Sequence, residues 1–224
     1  MALADTRWSL VLRAGAGSLG ALEGLCGTYW FPVYAYLRRR GYDPEDASEL
    51  TQEFFVGLLR RNDLAKVTRE GGRFRSWLFT ALQRHAFRER KKAEAGKRRH
   101  ASVDDAEARF ERTVAPGLDP EAVFARQWAL GVLESARLRV RARYVESGQE
   151  SLFDALSPVL TDASRPYGEL ARQLGMREGA VKVAVHRLKK RYGEALRHEV
   201  ADTLDGPREI EVELRSLLDA LAGR

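Results

Sequence analysis

The side chains best equipped for chemistry in this chain are cations and aromatics, and they recur at helical spacing in two places. In "GMREGAVKVAVHRLKKRYGEAL" (175–196), Val181, Val185, Leu188 and Tyr192 form an apolar stripe, and Lys182, His186, Arg187, Lys189, Lys190 and Arg191 fill the rest of the circumference. In "FRSWLFTALQRHAFRERKK" (74–92), Phe74, Trp77, Leu78, Ala81 and Leu82 are the stripe, and Arg75, Arg84, His85, Arg88, Arg90, Lys91 and Lys92 the basic remainder. Dense positive faces suit a polyanion; the plainer alternative is a solvated face that only confers solubility.

Bond-making chemistry has little support. His85, His100, His186 and His198 lack metal-ligand spacing such as HExxH, and "REGGRFR" lacks the Gly-Lys-Ser/Thr of a phosphate-binding loop. The acids of "DPED" and "DDAE" stand at turn and linker positions. Cys26 is the single cysteine, which leaves no internal disulfide and no cysteine-cluster metal site. No catalytic residue, cofactor or metal is therefore expected. The net charge of +6 suits a nucleic-acid partner. No apolar run approaches the roughly 20 residues of a membrane span, and "MALADTRWSLVLRAG" lacks a signal-peptide core. The expectation is a soluble protein of a reducing, cytoplasmic compartment, with no membrane partner.

The elements that must carry these residues are all helical. "PYGELARQLG" (166–175) reads as a short helix opened by proline and closed by glycine, with Leu170, Ala171 and Leu174 inward. A turn of three or four residues and the 175–196 helix then make a helix-turn-helix at 167–192, whose second helix suits a DNA major groove. Small Gly179 and Ala180 would let its start approach a phosphate, although Arg177 is a poor N-cap. Upstream, a first helical block runs from about Leu10 to Lys92. It includes a helix bearing Leu25, Trp30, Val33, Tyr34 and Leu37, then "DPEDASELTQEFFVGLLRR", with Asp43 and Pro44 as a turn or helix start and Leu50, Phe54 and Leu58 on one face. Gln52 and Phe55 point elsewhere, toward a protein contact or under a neighbouring helix. Residues 93–118 read as a polar linker with a short helix at most. Helix restarts at Asp119 and Pro120, with Val123, Trp128, Leu130, Leu133 and Leu138 as candidates for a second core. A terminal amphipathic segment carries Ile210, Leu214, Leu217, Leu218 and Leu221, as a packed helix or a docking site. Nothing alternates as strands do. The reading is an all-α chain divided as 1–92, 93–118 (linker), 119–201 and 202–224 (C-terminal helical extension).

At this point a resemblance emerges. "DASELTQEFFVGLLRR", a loop, and "FRSWLFTALQRHAFRERKK" resemble region 2 of bacterial RNA polymerase sigma factors, and "YGELARQLGMREGAVKVAVHRLKKR" resembles their region 4 helix-turn-helix. The two regions around a linker are similar to the extracytoplasmic-function (ECF) group, though 118–167 and the tail after Ala201 exceed its minimal form.

The resemblance implies an alternative sigma factor whose partners are core RNA polymerase, through the β′ coiled coil and β flap, and promoter DNA, with an anti-sigma or other regulatory protein as a further partner. Glu49, Leu50, Gln52, Glu53 and Phe55 match the polymerase-docking helix. The loop from Lys66, with Arg73, Phe74, Trp77, Arg84, Arg88, Lys91 and Lys92, matches the surface that melts the minus-ten element, where aromatic groups replace lost stacking and cations track the displaced backbone. Arg84 stands where the family often has asparagine. Lys182, Val183, His186, Arg187, Lys189 and Lys190 match the surface that reads the minus-thirty-five element: Arg187 suits guanine, Val183 a thymine methyl, and Lys189, Lys190 and Arg191 suit phosphates. Family members usually carry polar residues where Val183 and Ala184 stand. In the linker, Asp104, Asp105 and Glu107 would mimic nascent RNA or remain solvated. The competing class is a stand-alone helix-turn-helix transcriptional regulator, which would need neither the "LTQEFF" helix nor the aromatic–basic one.

Overall fold

Short-range signals start and stop the helices. In the computed structural model, which describes residues 14, 17–67, 74–93, 104–114, 117–162, 164–201 and 207–222 (the side chains of 19, 22, 90–93, 104, 207 and 208 excepted), α1 spans Leu19–Arg39 and α2 Pro44–Arg60. Between them Gly41 takes φ +93°, a conformation that favours glycine. Pro44 opens α2, and the Asp43 carboxylate accepts from the Asp46 amide at 2.7 Å. A 3-10 turn, Asp63–Lys66, precedes α3 (Phe74–Ala93). Next come α4 (Asp104–Thr113) and α5 (Pro120–Glu146), the latter capped by Asp119, which accepts from the Ala122 amide at 2.9 Å. After α6 (Glu150–Leu156) and the 3-10 turn Ser157–Leu160 come α7 (Tyr167–Leu174), α8 (Glu178–Ala201) and α9 (Pro207–Ala222). Gly175 ends α7 at φ +62°, so three residues separate α7 from α8. Nine α-helices and no strand occur among the described residues, so the all-α expectation holds.

The chain divides into two units, residues 1–131 with 200–224, and residues 132–199. In the first, Tyr29, Val33, Tyr34 and Leu37 of α1 are buried, as are Leu50, Phe54 and Leu58 of α2 and Phe74, Leu78, Leu82 and Ala86 of α3. Aromatic contacts tie the layers together: Tyr29 meets Phe74 edge-on at 5.5 Å, Tyr36 meets Phe79 at 5.5 Å, and Phe79 meets Phe124 of α5 at 5.0 Å.

Two segments join this unit that the sequence reading placed outside it. The first is α4, within the expected linker. Its Glu107 carboxylate accepts from the Tyr34 hydroxyl at 2.6 Å and from Arg38 Nε at 2.7 Å, while the Arg109 guanidinium sits 3.8 Å from the Phe31 ring centre. The Arg38 hydrogen bond outweighs burial and holds the Glu107 carboxyl below its ordinary value. Glu107 is thus engaged within the fold and is not a solvated linker acid. The second is α9, whose Leu217 and Glu213 are buried.

The second unit packs α7 and α8 on the later part of α5. Ala136, Val140 and Tyr144 meet Phe153, Leu156 and Val159, then Leu170 and Ala171 of α7 and Val181, Val185, Leu188 and Ala195 of α8. The Tyr192 hydroxyl donates to the Leu133 carbonyl at 3.2 Å, and burial, reinforced by Glu134, pushes its phenol up to about 12. The expected second-core list needs correction. Val123 and Trp128 are buried but belong to the first unit, Leu130 and Leu133 are half-buried, and Leu138 is 50% exposed. The apolar positions of α5 serve one core up to residue 131 and another from 132.

Candidate nucleic-acid interface

In the first unit the basic and aromatic residues of α3 border an open groove of about 480 Å³. Trp77, Ala81, Arg84 and Arg88 line it from α3 at i, i+4, i+7 and i+11, and Phe87 adds a second ring; Arg61, Asp63 and Lys66 line it from the turn after α2. The Trp77 indole is half-buried and stacked on Phe74 at 5.6 Å and 26°. Phe87 is 59% exposed. Arg84 and Arg88 are exposed and have no carboxylate partner among the described residues. Arg61 and Lys66 do share one: Asp63 takes Arg61 Nε at 2.8 Å and Lys66 Nζ at 3.0 Å. Burial would raise the Asp63 carboxyl, but these hydrogen bonds outweigh it and hold the group below its ordinary value. The groove therefore offers two aromatic rings and a set of cations, of which Arg84 and Arg88 are the uncompensated pair. That combination stacks a base and tracks a phosphate backbone.

One expected DNA contact, Phe74, and two residues expected on the basic face, His85 and Arg75, lie elsewhere. Phe74 is 1% exposed, because the i, i+4, i+8 seam of Phe74, Leu78 and Leu82 faces the core; it backs Trp77 instead of touching a ligand. His85, expected on the basic face, is buried with Nε2 3.2 Å from the Leu50 carbonyl and its ring 5.6 Å from Phe54. Arg75 is turned into the unit, where Nε donates to Glu213 at 3.0 Å and the guanidinium carbon lies 4.3 Å from the Trp128 ring centre. Arg73 and the side chains of Lys91 and Lys92 lie outside the described residues. Sequence reasoning missed Phe87 and Arg61; the i+3 spacing of Phe87 from Arg84 was the available signal for the first.

On α2, Gln52 is exposed and Glu49, Glu53 and Phe55 are half-buried, whereas Leu50 is core. Phe55 lies edge-on to Phe54 at 5.4 Å and lines a small apolar pocket with Leu25, Cys26, Tyr29 and Leu64. The two readings left open for Phe55 meet in one residue, packed on one side and accessible on the other. Val56 and Leu59 are 43% and 41% exposed. With Gln52 they make an outward i, i+4, i+7 row that the sequence reading passed over.

In the second unit the basic face of α8 is presented as expected. Val181, Val185 and Leu188 are buried, which turns Lys182, Val183, His186, Arg187, Lys189 and Lys190 outward; all six are exposed. Lys182 pairs with Glu178 one turn back, at 2.9 Å. Arg191 is half-buried, and its guanidinium carbon sits 5.0 Å from the buried Tyr144 ring centre.

The described residues form an all-helical scaffold with an aromatic, cation-lined groove on one unit and an exposed basic helix on the other. Residues 31–95, spanning the latter part of α1 through α3 and so the whole groove, match the Sigma-70 region 2 family. The match covers less than a third of the chain. No curated protein and no solved structure matches the chain. No helix among the described residues is long and apolar enough to cross a membrane.

Proposed function

We propose that the protein is an alternative sigma factor of the ECF type, which binds core RNA polymerase in the cytoplasm and confers promoter choice and the start of strand opening, with no bond-making chemistry of its own. The observation that carries this reading is the coincidence of the Sigma-70 region 2 match with the Trp77–Phe87–Arg84–Arg88 groove. In this reading the groove takes an unstacked base of the minus-ten element, and the released backbone follows Arg84 and Arg88. The outward row Gln52, Val56 and Leu59, with Glu49 and Glu53 beside it, docks the polymerase. Region 4-like reading of the minus-thirty-five element falls to α8, the second helix of the helix-turn-helix, with Arg187 and Val183 facing bases and Lys189 and Lys190 facing phosphates.

The test is binding to cognate core polymerase, wild type against Gln52→Ala/Val56→Glu, followed by transcription from a promoter library. Binding lost in the variant, with new start sites for the wild type, supports the sigma factor. Sequence-specific duplex binding without any affinity for core polymerase assigns the stand-alone regulator instead.

A further inference from the structure

Arg75 and Trp77 share the first turn of α3 and are used in opposite ways. Trp77 faces the groove; Arg75 is held inside the unit by α9, the C-terminal helix. Glu213, its partner, is only 1% exposed, and the Arg75 guanidinium is sandwiched onward against Trp128. Two further contacts fall on the same face of α9: Leu217 is buried, and Arg126 donates to the Leu221 carbonyl. Glu213 and Leu217 lie one turn apart on the seated face, and Leu221 takes part through its main-chain carbonyl at the C-terminal end of the helix. Burying an ion pair is costly unless its geometry is fixed by its surroundings, so this pair is more than a surface contact.

We propose that α9 is a strap that sets the rotation of α3 about its own axis, and that Glu213 is a positioning residue, acting through Arg75, for the presentation of Trp77 to an unpaired base. The inference rests on the groove being the base-capture site proposed above. It assigns the C-terminal extension to the strand-opening half of the protein and not to duplex reading.

Two variants of the full chain test it, Glu213→Gln and a chain ending at Ala201, each with two readouts. In the free protein, amide exchange over residues 76–82 is expected to rise about tenfold or more in both variants, with 132–199 unchanged. With core polymerase, opening of a duplex promoter falls about tenfold or more, as for a misplaced reacting group, while initiation on a pre-opened template stays within about twofold. Unchanged exchange and unchanged opening overturn the strap. Equal losses on duplex and pre-opened templates also overturn it, because a merely structural role would affect both alike. A wild-type chain that fails to bind core polymerase overturns the sigma-factor reading and with it the base-capture role, whereas the exchange data still decide whether α9 holds α3.

Discussion

Trp77→Ala removes one aromatic wall of the groove and leaves its cations in place. Base–aromatic stacking is worth about 1–3 kcal/mol per base, and each 1.4 kcal/mol or so is tenfold in affinity. Holoenzyme affinity for a single-stranded minus-ten oligonucleotide should therefore fall by about 5- to 150-fold. The structure separates this loss from damage to the fold. Trp77 is half-buried and stacked on Phe74, so its truncation also removes a ring pair worth about 0.5–1.5 kcal/mol. Trp77→Phe retains a ring on both sides and should recover most of the binding. Arg84 and Arg88 are untouched in Trp77→Ala, so the slope of log affinity against log salt should match the wild type. Replacing both arginines by alanine should instead flatten that slope by about 1.4, at roughly 0.7 per lost single-strand phosphate contact. Fluorescence anisotropy at several salt concentrations measures both quantities, and thermal unfolding by circular dichroism supplies the stability control. The reasoning is refuted if Trp77→Ala binds the oligonucleotide as tightly as the wild type, or if its loss appears only as a change of salt slope.

Three further outcomes are expected. Arg187→Ala should cost about 1–3 kcal/mol on the preferred duplex and relax selection at one base pair, whereas Lys189→Ala should weaken all sequences evenly; selection from a randomised duplex pool distinguishes them. Glu107→Gln should destabilise the first unit by about 1.5–3 kcal/mol near neutral pH, the range for hydrogen bonds to charged groups. Because the folded Glu107 carboxyl lies below its ordinary value, that stabilisation is present above the ordinary carboxylate range of about 4.3 and is lost as pH falls through the lower folded value. Urea midpoints measured from neutral to acid pH should thus converge for wild type and variant. Phe74→Ala should cost about 3–5 kcal/mol of stability as a core cavity, and its unfolding midpoint should fall well below that of Trp77→Ala.

How much of this was legible in the sequence depended on how local the signal was. Val181, Val185 and Leu188, in a helix that starts three residues after Gly175, sufficed to orient α8 and so to place Lys182, Arg187 and their neighbours on its outer face. Asp43–Pro44 and Asp119–Pro120 likewise gave true helix starts. Phe74 and Trp77 show the limit of periodicity: both fit one stripe, yet the core takes the 74–78–82 seam and leaves the tryptophan at its margin. Charge partners were beyond reach. Arg38 with Glu107, and Arg75 with Glu213, join residues 69 and 138 positions apart, and each side chain alone reads as ordinary surface. The helix α5 misled for a related reason, since a segment shared by two cores carries no single continuous stripe.

The division of labour along α8 has an evolutionary consequence. The side chains that seat the helix (Val181, Val185, Leu188) and those proposed to face DNA (Lys182, Val183, His186, Arg187) share no position. Exchanging an exposed residue away from caps and networks usually shifts stability by only about 0.5 kcal/mol. Target preference on this scaffold is therefore free to drift, duplicate and diverge at almost constant fold stability. A library randomised at those four outward positions would be a direct route to mutually insulated factors serving separate promoter sets in one cell.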